Sequence, residues 1–197
     1  MSRGPFRPRL PLILASTSPR RQAMLASLGL WFHVCAPRVD EHRLPHTLPP
    51  DHALVLARAK ARACQEEGAV IIGADTVVAH GERILGKPED TNEALGMLRL
   101  LAGQEHHVYT GVCLRHGTEE HAFVVSARVR MAAVPDSILA AYASTGEGLD
   151  KAGAYALQGI GGFLVETVSG SVSAVIGLPL AETVSALLAM EAIEVAS

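Results

Sequence analysis

Two apolar runs stand out in the first half of the chain. Leu12–Ala15 is entirely apolar, and Ala69–Ala79 is nearly so, with Asp75 and Thr76 as its polar members. Near-continuous apolar runs are typical of strands buried on both faces of a sheet. Shorter runs predict further strands over Trp31–Cys35, Val108–Leu114, Ala122–Met131, Phe163–Val168 and Val172–Ile176.

Apolar residues that recur every three or four positions predict helices between these strands. Met24, Leu25 and Leu28 lie on one face of a helix that begins at Pro19, and Gly29 ends it. Because strands and helices alternate early while strands pair late, we predict a mixed β-sheet with flanking helices. The other predicted helices are Asp51–Gly68, Thr91–Leu101, Pro135–Ala143 and Pro179–Met190.

Composition limits the class of protein. The chain has 197 residues, of which 49% are hydrophobic and 19% charged, as expected for one globular domain. We assign that domain to residues 11–197 and a basic, flexible tail to residues 1–10. No apolar run approaches the roughly 18 residues of a membrane span. A net charge of −3 and 4% aromatic residues argue against binding of long nucleic acid.

The cysteines and histidines do not indicate a metal centre. Cys35, Cys64 and Cys113 lack metal-ligand spacing, so we predict reduced core residues in a cytosolic protein. His42 and His46 are four residues apart, but the proline at position 45 disfavours a helical pair of zinc ligands.

The segment around Ser18 has the chemistry of an anion site. Ser18 suits the N-cap of the helix, and Pro19 suits its first position. Arg20 and Arg21 follow, where free N–H groups and the helix dipole already favour an anion. Two cations at this end disfavour the helix alone, so we expect a phosphate to offset their repulsion.

Asp75 is the polar residue that most needs explanation, because a carboxylate inside an apolar strand is costly to bury unpaired. It is either a structural residue capped by backbone N–H groups, or a metal ligand or base. Lys60 and Lys87 are either surface lysines or directed at a ligand. Glu41, in the long loop 36–50, is either solvated or a ligand of a hard cation.

A glycine-rich segment near residue 150 is either a simple turn or a base-recognition loop. Gln158 carries an amide, which offers both a donor and an acceptor, as a pyrimidine edge requires.

Taken together, these motifs resemble one family. They are Leu14–Arg21, the loop with Glu41, Lys60, Gly73–Val78, Gly86–Pro88, Asp150–Tyr155, Gln158–Gly159 and Ile176–Pro179. Their order over residues 11–190 resembles that of the Maf family of nucleoside triphosphate pyrophosphatases.

The resemblance implies a fold, an activity and a cofactor. The fold would be that of the inosine triphosphate pyrophosphatases, elongated, with two lobes around a cleft. The activity would be hydrolysis of a nucleoside triphosphate to the monophosphate and pyrophosphate, with Mg²⁺, Mn²⁺ or Co²⁺. The protein would be cytoplasmic and a homodimer, and Asp75 would be the proton acceptor.

The resemblance also implies roles for other residues. Substrate phosphates would contact Ser16, Arg21, Lys60, Lys87 and Lys151, and the metal would be held by Glu41 and Asp75. Arg20, Thr76 and Gln158 match the branch that hydrolyses dTTP and UTP, whereas another branch prefers 7-methyl-GTP. A non-catalytic, nucleotide-binding regulator of septum formation is a further alternative, against which the combination of Asp75, Lys60 and Lys87 argues.

Overall fold

A computed structural model of the chain describes residues 4–40 and 48–196. No helix in these ranges is long and apolar enough to span a membrane. The strands are β1 (Phe6–Pro8), β2 (Leu12–Ala15), β3 (His33–Val34), β4 (Val70–His80), β5 (Arg83–Leu85), β6 (Glu105–His116), β7 (Glu119–Met131), β8 (Val165–Gly170) and β9 (Ile193–Val195). The α-helices are α1 (Pro19–Ser27), α2 (Pro49–Ala63), α3 (Thr91–Leu101), α4 (Asp136–Ser144), α5 (Val172–Ile176) and α6 (Leu180–Ala189).

Seven strands form the main sheet, in the order β3-β2-β4-β6-β7-β8, with β5 paired to β4. The contacts of β2 with β3 and β4 are parallel, and the other pairings are antiparallel. The mixed sheet with flanking helices is therefore confirmed. β4 lies between β2 and β6, which explains why its run of apolar residues is nearly continuous.

The core divides into two main clusters. One contains Leu14, Leu25 and Leu187, from β2, α1 and α6. The other contains Leu98 and Leu139, from α3 and α4. A cavity is lined by residues that belong to or pack against both clusters.

Helix α2 lies against the sheet where two strands carry glycine. A Cβ atom on Gly73 would lie 2.3 Å from the carbonyl oxygen of Ala57, and one on Gly111 would lie 2.4 Å from that of Ala53. Only a residue without a side chain allows this approach. The close packing places the end of α2, including Lys60, next to the centre of β4.

The predicted strand over Val172–Ile176 is wrong, because this segment is helix α5. Its β-branched residues favour a strand by propensity. However, the Ser171 side chain caps a helix by accepting from the N–H of Ala174, and Gly177, with φ of 131°, ends it. The capping residues outweigh the propensity of the short segment between them.

The prediction of a flexible tail is wrong for Phe6–Pro8. This segment is β1, which pairs antiparallel with β9 near the other end of the chain. Arg7 and Glu194 add an exposed ion pair with an N–O distance of 2.8 Å. No local pattern predicts this strand, since its partner lies 187 residues away in sequence.

The prediction of three reduced cysteines is also wrong. Cys35 and Cys64 form a disulfide across a sequence separation of 29. Cys35 directly follows strand β3, and Cys64 directly follows the last residue of helix α2. The disulfide therefore joins the ends of these two elements. Cys113 is a free, buried cysteine as predicted, and burial raises the pKa of its thiol to about 11.

Candidate active site

A cavity of about 440 Å³ opens where β2, β4 and α1 meet the segment 150–158. It brings together residues that are far apart in sequence. Nine of the residues predicted for the site line it: Ser16, Arg20, Arg21, Lys60, Asp75, Thr76, Lys87, Lys151 and Gln158.

The turn before α1 has the predicted local structure. Ser18 is the N-cap residue, its hydroxyl accepts from the N–H of Arg21, and Pro19 is at the first helical position. The hydroxyl oxygen of Ser16 accepts from the N–H of Ser18 at 3.2 Å. The turn thus presents the positive end of α1 to the cavity.

Arg21 is held by three elements at once. Its Nε donates to the carbonyl of Gly177 at 2.7 Å, Nη1 to the hydroxyl of Ser16 at 3.4 Å, and Nη2 to the hydroxyl of Thr76 at 3.0 Å. These bonds use three of the five N–H donors of a guanidinium, so two can serve an anion.

The pKa of Arg21 is lowered from its usual value, mainly because the guanidinium is buried. The nearby carboxylate of Asp75 acts in the opposite direction, and the positive charge of Arg20 adds to the lowering. A guanidinium remains charged at neutral pH even so. The protein therefore keeps a fixed positive charge at the wall of the cavity, with its plane already oriented.

Thr110 completes a chain of hydroxyl groups behind Arg21. Its hydroxyl donates to the carbonyl of Ala174 at 2.7 Å. In the contact of 2.9 Å between the Thr76 and Thr110 oxygens, Thr76 must therefore be the donor. Thr76 can then accept from Arg21. The sequence analysis missed Thr110, whose position opposite Thr76 in the sheet is visible only from the register of β4 and β6.

Asp75 forms an ion pair with Lys60. The Nζ–Oδ1 distance is 2.5 Å, and the side chains are only 13% and 16% exposed. Lys60 is thus not a solvated surface lysine, since its ammonium faces Asp75. Its ammonium compensates the charge of a carboxylate that would otherwise be costly to bury. The pair lies on the wall of the cavity, within reach of a ligand.

Two further charged groups, Asp150 and Lys151, lie in the segment 150–158, and a third, Lys87, lies on a neighbouring loop. Asp150 lies 3.6 Å from Arg20, and Lys151 contacts Asp150 and donates to the carbonyl of Glu147 at 2.6 Å. Lys87 lies on an exposed loop, which is tied to this segment because the N–H of Gly153 donates to the carbonyl of Gly86 at 3.1 Å.

The metal prediction involves Glu41, which lies outside the described residues, as do His42 and His46. Within residues 4–40 and 48–196, no group of three His, Cys, Asp or Glu side chains is placed to hold a metal. Mg²⁺ is usually bound by one or two carboxylates together with substrate phosphates. The carboxylate of Asp75 could therefore be one of its ligands without a cluster of further protein ligands.

Fold and cavity together define a mixed α/β protein whose cavity places Arg21 and the N-terminal end of α1 beside the partly buried Lys60–Asp75 ion pair. A family model described as Maf-like protein matches residues 11–190. The chain therefore belongs to the Maf family, as its motifs indicated.

Curated relatives match over most of the chain. A dTTP/UTP pyrophosphatase of Anaeromyxobacter dehalogenans (strain 2CP-C) is 50% identical, over 89% of this chain and 92% of the relative. That of Myxococcus xanthus is 51% identical, over 89% and 90%. That of Nitratidesulfovibrio vulgaris is 46% identical, over 98% and 93%. Among solved structures, a HAM1 protein from Coxiella burnetii is 16% identical, with a TM-score of 0.44 over 64% of this chain and 75% of that one.

Proposed function

We propose that this protein is a nucleoside triphosphate pyrophosphatase that hydrolyses dTTP and UTP to the monophosphate and pyrophosphate. The observation that carries the proposal is the partly buried Lys60–Asp75 pair beside the fixed guanidinium of Arg21, in a cavity large enough for a nucleotide. The names of the relatives supply the substrates.

The triphosphate binds where the positive groups converge. The two remaining N–H donors of Arg21, the hydroxyl of Ser16 and the first N–H groups of α1 contact phosphate oxygens. Lys87 and Lys151, which also line the cavity, neutralise the charge that develops on the leaving pyrophosphate.

Asp75 orients the attacking water and accepts its proton. The water oxygen forms a bond to the α-phosphorus while the bond to the bridging oxygen of the β-phosphate breaks, and pyrophosphate leaves. Lys60 fixes the carboxylate in place. Positioning and charge stabilisation supply most of the catalysis in such a reaction.

A divalent cation, Mg²⁺, Mn²⁺ or Co²⁺, would be held by Asp75 and Glu41. When bound, it would neutralise phosphate charge and lower the pKa of a coordinated water.

Gln158 reads the base. Its amide can satisfy both a carbonyl and the N3–H group of uracil or thymine. Arg20 borders the same side of the cavity. Thr76 contributes by holding Arg21, in addition to any contact with the nucleotide.

We further propose, on the family resemblance, a cytoplasmic homodimer with its domain over residues 11–197. The proposed partner is a small-molecule nucleotide; the net charge of −3 and 4% aromatic residues argue against long nucleic acid.

Replacing Asp75 with asparagine tests the catalytic assignment. Asp75→Asn preserves the shape of the side chain but removes the proton acceptor, so we expect kcat for pyrophosphate release to fall by at least about 100-fold. The assay uses UTP, dTTP, 7-methyl-GTP and ATP with each of the three metals.

Asp136→Asn is the matched control, because Asp136 forms an exposed ion pair with Arg99 away from the cavity. Retention of most of the activity in Asp75→Asn would contradict the catalytic role. Hydrolysis of 7-methyl-GTP in preference to UTP would favour the alternative branch. Binding of nucleotide by the wild type without any pyrophosphate release would favour a regulator.

A further inference from the structure

Glu147 is a partly buried carboxylate just beyond α4, and it is not among the residues that line the cavity. It accepts three hydrogen bonds. The hydroxyl of Tyr142 and the backbone N–H groups of Ile160 and Gly161 donate to it at 2.9, 2.8 and 2.8 Å. Two of these donors belong to the backbone that directly follows Gln158.

The fit between Glu147 and this backbone is tight. Gly159 has φ of 135°, and a Cβ atom there would lie 2.3 Å from Oε1 of Glu147. A Cβ atom on Gly161 would lie 2.5 Å from the hydroxyl of Tyr142. The glycines therefore allow the loop to rest directly on the carboxylate and the phenol ring.

Glu147 and Tyr142 also hold the other end of the loop. The backbone carbonyl of Glu147 accepts from Nζ of Lys151 at 2.6 Å. The hydroxyl of Tyr142 accepts from the N–H of Ala156 at 3.2 Å. The segment from Lys151 to Gly161 is thus held on both sides of Gln158, an exposed residue that lines the cavity.

Charge-assisted bonds explain why a carboxylate stands here. Burial alone would raise the pKa of Glu147, but the hydrogen bonds from Gly161, Ile160 and Tyr142 outweigh it and lower the pKa. The group is an anion at neutral pH. Bonds from N–H groups to an anion are roughly twice as strong as those to a neutral acceptor.

We infer that Glu147 is a positioning residue for base selection: it fixes the backbone of Gln158 so that the amide faces the pyrimidine edge. This inference rests on the proposed function, since it assumes that Gln158 reads the base. Glu147 acts on the nucleoside part of the substrate and leaves the phosphate contacts of Arg21 unchanged.

The variant Glu147→Gln tests the inference. Its amide nitrogen cannot accept a hydrogen bond, so at least one N–H of the loop loses its partner. Losing a bond to a charged group corresponds to roughly tenfold or more in an equilibrium constant. We expect KM for UTP to rise about tenfold, with kcat changed by less than about threefold. Inhibition by inorganic tripolyphosphate, which has no base, should be unchanged.

A double-mutant cycle separates positioning from general destabilisation. If Glu147 acts through Gln158, Glu147→Gln should have little further effect on KM when Gln158 is already alanine. Tyr142→Phe keeps the carboxylate and its two backbone donors, and it removes the hydroxyl that donates to Glu147 and accepts from the N–H of Ala156. It should raise KM by a smaller factor. Glu166→Gln is the control, because Glu166, on strand β8, forms an exposed ion pair with Arg130 on β7 and does not line the cavity.

The inference would be overturned if Glu147→Gln weakened tripolyphosphate inhibition as much as UTP binding, or if its effect were undiminished in the Gln158→Ala background. If Glu147→Gln fails to fold, the Tyr142→Phe cycle decides the question in the same way. Binding of a non-hydrolysable α,β-imido analogue of UTP provides a readout without turnover. A wild type that binds this analogue but releases no pyrophosphate from UTP would refute the proposed activity and leave the test of Glu147 valid.

Discussion

His106 is a fully buried histidine next to the candidate active site. Its Nε2 lies 2.8 Å from the hydroxyl oxygen of Tyr155, which lines the cavity. Burial, with additional repulsion from His80 and His107, lowers the pKa of His106 to about 4. The ring is therefore neutral at pH 7, and it supports Tyr155 without adding charge to the site.

This shift predicts an acid-dependent loss of stability. The unfolded chain, with a histidine pKa of about 6.5, binds a proton in the window from pH 6.5 to about 4 that the folded chain does not. The free energy of unfolding should therefore fall as the pH falls through this window, by up to about 3 kcal/mol. In His106→Gln, the slope measured by urea unfolding between pH 7.5 and 4.5 should be smaller.

His121→Gln, at an exposed position on β7, should keep the wild-type slope. Parallel pH profiles for the wild type and His106→Gln would show that His106 does not cause the acid sensitivity.

At the scale of elements, α2 connects the fold to the site. Gly73 and Gly111 let it approach β4 and β6, and Lys60 near its C-terminal end reaches Asp75 on β4. The separation between helix and sheet therefore sets the geometry of the ion pair.

Gly111→Ala should disturb both the stability and the ion pair. The added Cβ would lie 2.4 Å from the carbonyl oxygen of Ala53, so α2 must move away from the sheet. We expect the free energy of unfolding to fall by about 2 kcal/mol or more, and kcat to fall as Lys60 shifts relative to Asp75. Denaturant unfolding and pyrophosphate release measure the two effects.

Gly96→Ala, on α3, is the control for Gly111→Ala, because we expect it to raise the free energy of unfolding instead of lowering it. Gly96 is exposed, and its added Cβ would meet nothing within 4 Å. Alanine there should stabilise the helix by roughly 0.5–1 kcal/mol. Equal effects of the two substitutions would contradict the role of close packing at Gly111.

At the scale of the whole molecule, two long-range links join distant parts of the chain. The pairing of β1 with β9 brings residues near both termini together. The disulfide between Cys35 and Cys64 connects the end of β3 to the end of α2. Such a bond is uncommon in a reducing cytosol.

Cys35→Ser should destabilise the oxidised protein. Loop-closure entropy for a separation of 29 residues corresponds to about 3–4 kcal/mol. A reductant should lower the free energy of unfolding of the wild type by a similar amount and leave that of Cys35→Ser unchanged. Thiol titration of denatured, unreduced wild type should detect Cys113 alone. Detection of all three thiols would contradict the disulfide.

Elements with strong local signals were predicted well. Helix α3 has the predicted bounds, because Asp90 caps it by accepting from the N–H of Glu93 and its apolar residues keep a helical period. The turn at Ser18 and the buried strand around Asp75 were likewise predicted from local chemistry. The strand predicted over Val172–Ile176 failed, since a short segment with strand propensity became a helix between two capping residues.

The sequence alone determined the alternation of strands and helices, the capped turn at Ser18 and the residue types available for chemistry, because these depend on neighbours within a few positions. Only the tertiary structure decided which groups meet: Lys60 with Asp75, Arg21 with Thr76 and Thr110, Glu147 with the backbone after Gln158, and Cys35 with Cys64. These contacts depend on sheet register and on the separation of helix from sheet. Both are set by packing between residues far apart in the chain, so no local pattern records them.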